Sequence, residues 1–535
     1  MRNILGEVCI IAAVLTPVVG VLVAGVGKGS PARRCRTAAG LGWVSAGFAL
    51  GAAASVGLGS PFVVALGDAY GRPILGLKAD QLTITLLVLI CGVGAMVQSF
   101  SVRYLQADQE APRFFVATNV VVAAMAVVST SATVVMLVTA WVIAGVGFVA
   151  VVGYRPDLPG VRASALRTLR LFAIGDLALV AAMAIIWVRA GNVNLVSAGA
   201  LRTAAGHLGG LSTVVAFLIA VAALARSAQG PLGRWLPGTV SAPTPVSALL
   251  HAGVVNGGGV LLVRLGALAS GSALAMIVAF IVAGLTTTVA TALMTHKADI
   301  KGALAFSTMG QMGFMIAECV VGAYLAAVVH LFGHAIYKAT RFFESGSAIP
   351  RLGQAPTAST GVTSTLARIV AALVTTVVTV AAMAAIPGAL AHRGGLVLAM
   401  FTAATAATAG WSWWGRRPAS ARLTVTWAAA MLGAGALYGL ILGGLGHWIT
   451  PALPAVGTGV LSPWWLLGLA GAGLAVAGLA RVSVVRQWLM ATLVDVGAEP
   501  VVLATNRFRL SGRGTRAGLP NSISETVNSW AKDAA

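Results

Sequence analysis

Apolar residues in this chain gather in runs of about twenty, and polar residues are confined to the gaps between them, so each run is hydrophobic on every face. The runs fall near residues 3–27, 37–59, 81–100, 113–128, 131–153, 169–189, 207–229, 244–270, 273–295, 302–322, 324–346, 363–387, 394–414, 422–447 and 463–483. Since a helix needs about 20 residues to cross the hydrocarbon core, the pattern predicts an all-α polytopic membrane protein with about 13 to 15 transmembrane helices. The first run, Ile4 to Val26, is longer than a signal-peptide core and continues into Gly27-Lys28-Gly29 without a clear cleavage site. It is read as a retained helix.

One run is interrupted. Ala222 to Ala225 is followed by Arg226-Ser227-Ala228-Gln229-Gly230-Pro231-Leu232-Gly233-Arg234-Trp235-Leu236-Pro237. Proline removes a backbone donor and glycine relaxes the chain, so the helix must break or end here. Non-helical backbone at membrane depth survives only inside protein or beside water, and broken helices of this kind mark ion and substrate sites in transporters.

Composition agrees with the pattern. The 535 residues are 58% hydrophobic and 9% charged, against roughly 25% charged in soluble domains, which excludes a soluble fold. Thirty-five basic and 14 acidic residues leave a net charge of +21, but the basic ones occupy short loops. Lys28, Arg33, Arg34 and Arg36, then Arg103 and Arg113, then Arg155, Arg162, Arg167 and Arg170 follow odd-numbered spans. Lys297 with Lys301, Arg351, and Arg416 with Arg417 and Arg422 continue the series. Even-numbered loops are poorer, with Arg72, Lys78, Arg189, Arg202 and Arg393 as exceptions. The bias puts the odd loops in the cytoplasm and the N-terminus outside, and it makes a nucleic-acid partner unnecessary. The stretch 484–535, with Arg486, Arg507, Arg509, Arg513, Arg516 and Lys532, reads as a basic cytoplasmic tail, amphipathic from Trp488 to Leu493. It either lies against anionic lipid or a partner, or is simply solvated. Cys9, Cys35, Cys91 and Cys319 are far apart and fit no disulfide, zinc or iron–sulfur pattern.

Ionisable residues within spans are costly and need a reason. Asp176 lies in the sixth span, Arg226 at the break of the seventh and His251 in the eighth; Lys301 begins the tenth and Glu318 ends it. His330, His334 and Lys338 in the eleventh follow i, i+4, i+8 spacing and share a helix face, which Arg341 and Glu344 are expected to extend. A histidine–lysine ladder in hydrocarbon suits proton relay. Asp176 and Arg226 have opposite charge on neighbouring spans, suited to mutual neutralisation or to a purely structural ion pair. Arginine keeps its proton, so Arg226 supplies a fixed field rather than a carrier. The candidate pathway is therefore Asp176, Arg226, His251, Lys301, His330, His334 and Lys338, with Glu318 and Glu344 as secondary candidates. No zinc ligands, nucleophile or phosphate loop are present, so this chain is expected to be transport machinery without its own cofactor and not an enzyme.

Four ordered motifs carry a family resemblance: Arg226-Ser227-Ala228-Gln229 with Trp235-Leu236-Pro237; Pro243 to Ala252 around His251; Asp299-Ile300-Lys301 with Ala305 to Gly313; and His330 to Ala339. Together they resemble the proton-translocating antiporter-like family of complex I membrane-arm subunits and Mrp cation/proton antiporters. The resemblance implies two inverted five-helix repeats, each with a broken helix, and proton-moving roles for the pathway residues. It divides the chain into 1–112, a first repeat at 113–270, a second at 271–415, further helices at 416–483 and the tail at 484–535. The family's Trp-Glu pair reads Trp141-Val142 here, and its broken-helix lysine is replaced by Arg226. The stretches Val151 to Asp157, His251 to Gly259, and Gln311 to Cys319 with Gly322-Ala323-Tyr324 are most similar to the DabB (MpsA-like) branch. That likeness implies an ion-conducting subunit, carrying protons or sodium, that energises inorganic-carbon (CO2/bicarbonate) uptake. It also implies a DabA-like partner whose zinc site resembles that of a carbonic anhydrase. A cation/proton antiporter subunit or a complex I-like pumping subunit is the alternative.

Overall fold

A computed structural model describes residues 3–69, 72–240, 242–297, 299–345, 365–390, 394–414, 421–454 and 460–479. The expected tail at 484–535 and the loop residues Arg351, Arg393, Arg416 and Arg417 lie outside the described residues. Among the described residues, 13 helices are long and apolar enough to cross a membrane. The chain is a multi-pass helical membrane protein, with one β-hairpin that the hydropathy pattern passes over as a loop.

The N-terminal pair, α1 (Ile4–Val26) and α2 (Pro31–Leu58), starts at side-chain caps, Asn3 accepting from the Gly6 N–H and Ser30 from the Arg33 N–H. Pro17 inside α1 cannot donate to the carbonyl four residues back, that of Ala13. The hydroxyl of Ser45 on α2 donates to that carbonyl at 2.7 Å instead, so a neighbouring helix restores the bond that the proline removes. Strands β1 (Phe62–Ala69) and β2 (Arg72–Ala79) then pair antiparallel, Phe62 opposite Ala79. The Gly76 carbonyl accepts from the Ala132 N–H at 2.8 Å, which fastens the hairpin to the turn between later helices. A reciprocal capping box, Asp80 with Thr83, starts α3 (Gln81–Tyr104).

Helices α4 (Ala111–Thr130), α5 (Val134–Val152) and α6 (Val161–Ala190) lead to the first interrupted span. That span consists of α7 (Ala198–Leu208), α8 (Ser212–Arg226) and the short α9 (Trp235–Gly238). The next span, expected to run unbroken over 244–270, is divided into α10 (Thr244–Ala252), a 3-10 turn at Val254–Asn256, α11 (Gly257–Arg264) and α12 (Gly266–Ala269). It is the most enclosed of the 13. Helices α14 (Ile300–Val320) and α15 (Tyr324–Ser345) pack against it, with α13 (Ala273–His296) against α8 and α14, followed by α16 (Thr365–Ala384), α17 (Gly395–Trp414), α18 (Ala421–Ile449) and α19 (Trp465–Leu479).

Candidate functional site

The two broken spans meet. After α8 the backbone turns through Ala228 (φ +56°) and Gly230 (φ +55°), a left-handed conformation that is costly for alanine. Protein groups take up the released backbone: the Trp235 indole donates to the Ala225 carbonyl at 3.0 Å, Gln229 Nε2 to the Ser227 carbonyl at 2.6 Å, and the Gly230 N–H to Thr286 Oγ1 at 2.9 Å. Ser227 Oγ donates to the Val255 carbonyl, in the second break, at 3.0 Å. A Cβ on Gly258 would lie 2.2 Å from that hydroxyl and 2.3 Å from the Ala223 carbonyl, so the breaks abut only because residue 258 is glycine.

On one side of this junction is an ion pair. Arg226 Nη2 donates to Asp176 Oδ1 at 2.7 Å and to the Trp141 carbonyl at 3.2 Å. The Trp141 indole donates to the same carboxylate oxygen at 2.8 Å. The guanidinium lies over the rings of Trp141 and Phe172, 4.3 Å and 4.5 Å from their centroids, where ring quadrupoles add to its stabilisation. Arg226 is 2% exposed. A Cβ on Gly145 would fall 2.8 Å from Asp176 Oδ2 and 3.0 Å from Arg226 Nη2, so α5 makes room by omitting a side chain. The carboxylate missing at Val142 is thus supplied from α6. Val142 itself lines a mostly apolar cleft with Val116 and Val146.

On the other side are titratable groups. His251 Nδ1 lies 2.8 Å from Thr308 Oγ1, and its ring stacks on Phe342 with centroids 4.5 Å apart. The Thr308 hydroxyl also reaches the Leu304 carbonyl at 3.0 Å, the same oxygen that accepts from Lys338 Nζ at 3.2 Å. Thr308 has one proton for two acceptors. When it donates to Leu304, His251 must donate from Nδ1; when it turns to His251, the Leu304 carbonyl is left to Lys338. His334 Nδ1 lies 3.2 Å from Asn256 Oδ1, in the second break, and His330 Nδ1 lies 2.9 Å from Glu318 Oε2. Buried His334 Nε2 and Glu318 Oε1 have no protein partner.

The ladder therefore fans out. Successive steps of four residues advance about 40° around a helix, so His330, His334 and Lys338 face α14, the second break and α14 again, each through a different contact. Arg341 and Glu344 do not extend the stripe: they are exposed and pair with each other at 2.7 Å. Positions three and six beyond Lys338 lie about 60° and 120° off its direction.

Lys301 stands apart from both groups. Its Nζ donates to the Ala242 carbonyl at 3.0 Å and lines a cavity of about 500 Å³ with Tyr104, Asp108, Tyr154 and Arg155. Asp108 accepts from the Tyr154 hydroxyl at 3.1 Å and from Arg155 at 3.0 Å, and Arg155 also holds Asp157. Burial, then the Asp108 charge, pushes the Tyr154 phenol above its ordinary range, while the Arg155 hydrogen bond holds Asp157 below the usual carboxylate range.

Asn256, Thr308, Trp141 and Gly145 complete the arrangement and were not among the sequence candidates. Asn256 carried a signal, an amide just before three glycines in an apolar run, and Trp141 stood in the Trp141-Val142 pair of the resemblance.

Comparison with known proteins comes to the same architecture. The family model described as NADH:quinone oxidoreductase/Mrp antiporter, transmembrane, matches residues 131–414, and that of the complex I chain 5 N-terminus matches residues 73–115. The probable inorganic carbon transporter subunit DabB1 of Halothiobacillus neapolitanus is 36% identical over 295 residues, 54% of this chain and 52% of the relative. The corresponding DabB of Bacillus subtilis is 33% identical over 272 residues, 51% and 54%. NADH-quinone oxidoreductase subunit L of Mycobacterium tuberculosis H37Rv is 32% identical over 277 residues, 51% and 43%. The chain spans about half the length of the curated relatives it matches. In fold it is similar to a chain of the Mrp complex from Dietzia sp. DQ12-45-1b, with TM-score 0.59 and 22% identity over 99% of this chain and 59% of that one. It is also similar to a chain of an archaeal membrane-bound sulfane sulfur reductase, with TM-score 0.58 and 16% identity over 94% and 96%.

Proposed function

The chain belongs to the NADH:quinone oxidoreductase/Mrp antiporter family, and from that membership we propose that it is the ion-conducting membrane subunit of an inorganic-carbon uptake system. Protons or sodium ions move through the buried polar groups of α10, α14 and α15, and their flow energises a cytoplasmic zinc partner resembling a carbonic anhydrase. The observation that carries this reading is the junction of the two helix breaks, where Ser227 is bonded to Val255 and the neighbouring Asn256 to His334. It joins the Asp176–Arg226 pair to the histidine–lysine groups within protein. A merely structural bundle has no use for Lys338, His251 and Glu318 at such burial. The inorganic-carbon part draws on the DabB relatives.

The basic bias of the odd loops supports an external N-terminus, a cytoplasmic tail and a cytoplasmic mouth for the Lys301 cavity. Catalysis belongs to the partner, and this chain holds no cofactor. Residues 113–270 and 271–415 are assigned as the two antiporter-like repeats. A pull-down of the tagged chain from its native membrane in mild detergent, with mass spectrometry and zinc analysis, tests the assignment. One large zinc-bearing soluble partner is expected. A set of small hydrophobic subunits or a quinone-reducing assembly would favour instead the antiporter or complex I-like reading, which the likeness to subunit L supports.

A further inference from the structure

Three basic residues meet at the end of the bundle opposite the Lys301 cavity. Lys78 and Arg202 are two of the exceptions to the loop-charge bias, and Arg264 ends α11 inside an apolar span. All three line one cavity of about 60 Å³, together with Asp80 and Thr83. The two ends are distinguished by the helices themselves: this cavity takes Asp80 at the start of α3 and Arg264 at the end of α11, whereas the other takes Tyr104 at the end of α3 and Pro243 just before α10.

The charges do not balance. Among the described residues Asp80 is the one carboxylate in the lining, and Lys78 Nζ engages it at 2.5 Å. Arg264, 7% exposed, spends its donors on the carbonyls of Ser129 and Ser131, which are neutral. Arg202 is exposed at the mouth. Three cations against one carboxylate leave a formal excess of +2 among the described lining residues; Lys78 is paired and Arg202 solvated, so the buried share of that excess is the charge of Arg264, and buried charge without a counter-charge is costly. The volume decides the class of counter-ion. A water needs about 10–15 Å³ on this measure, so the recess of about 60 Å³ takes a body of about four to six heavy atoms and excludes a phospholipid headgroup with its glycerol.

We propose that this cavity binds a small oxyanion of four or five heavy atoms, bicarbonate and nitrate being of the right size, held by Lys78 and Arg202 against the fixed field of Arg264. On the orientation proposed above the site opens away from the cytoplasm. The binding itself does not depend on that orientation or on the polar groups of α15.

Thermal unfolding of the full chain, purified with its native partners, tests the proposal in titrations with bicarbonate, nitrate and chloride at constant ionic strength. A ligand of the native state raises the midpoint saturably. Bicarbonate and nitrate are expected to do so, with the apparent affinity weakened about tenfold in Lys78→Gln and about threefold in Arg202→Gln. Arg202→Gln changes an exposed side chain and keeps the test usable if Lys78→Gln folds poorly. No saturable effect from either oxyanion, or equal affinities in wild type and Arg202→Gln, would overturn the proposal. Chloride protecting as well as the oxyanions would overturn the assignment of ligand class. Loss of carbon uptake in Lys338 variants with oxyanion binding intact would separate this site from the conduction pathway.

Discussion

The two sides of the helix-break junction solve the problem of buried charge differently. Around Arg226 the charges are closed in: one permanent cation faces one carboxylate, an indole donor and two ring faces, its Nη1 lacking a protein hydrogen-bond partner, and the glycine at 145 leaves no spare space. Around Lys338 the groups are held by single, exchangeable hydrogen bonds to carbonyls, a hydroxyl and an amide. Arginine does not give up its proton in proteins, whereas lysine and histidine do. On the proposed reading the first side holds a field and the second passes protons.

That contrast is open to direct attack. Lys338→Met should have the largest effect on function, lowering ion-coupled uptake by about a hundredfold or more with normal expression and partner binding, because it removes the buried cation that donates to the Leu304 carbonyl. Asp176→Asn should have the largest effect on stability, about 3–5 kcal/mol, because it leaves the buried guanidinium without a counter-charge. Pairing it with Arg226→Met should recover most of that loss in a thermal unfolding assay. Thr308→Val removes the hydroxyl shared between His251 and Leu304, and uptake is expected to fall about tenfold with unchanged expression. Gly145→Ala should cost about 1–3 kcal/mol through the close approach to Asp176, read as a lowered unfolding midpoint. Ser45→Ala, remote from both sides, should cost only about 0.6 kcal/mol for the bond to Ala13 and leave uptake unchanged.

Much of this was legible in the sequence because membrane burial is demanding. Apolar runs marked the spans, and Asp176 and Arg226 stood out as charges within them. The histidines and Lys338 were in register because α15 is a regular helix. What escaped notice was of two kinds. Neutral polar residues such as Thr308 and Asn256 hydrogen-bond anywhere in a span, so their partners follow only from packing. The break after Ala252 was hidden because Gly253 and Gly257 to Gly259 sit among apolar residues and leave hydropathy unchanged, although they free the backbone to turn. The hairpin was hidden because Phe62–Ala69 and Arg72–Ala79 are too short to register as spans. Arg341 and Glu344 misled in the opposite sense, since proximity in sequence carried them off the buried face.

The central claim is that protons pass on the Lys338 side while Arg226 holds a fixed field. The most direct test is bicarbonate uptake driven by an imposed pH or sodium gradient, compared in cells expressing wild type, Lys338→Ala and Arg226→Lys at matched levels. The account predicts loss of gradient-driven uptake in Lys338→Ala and partial uptake in Arg226→Lys, which keeps a positive charge opposite Asp176. Wild-type uptake in Lys338→Ala would contradict it.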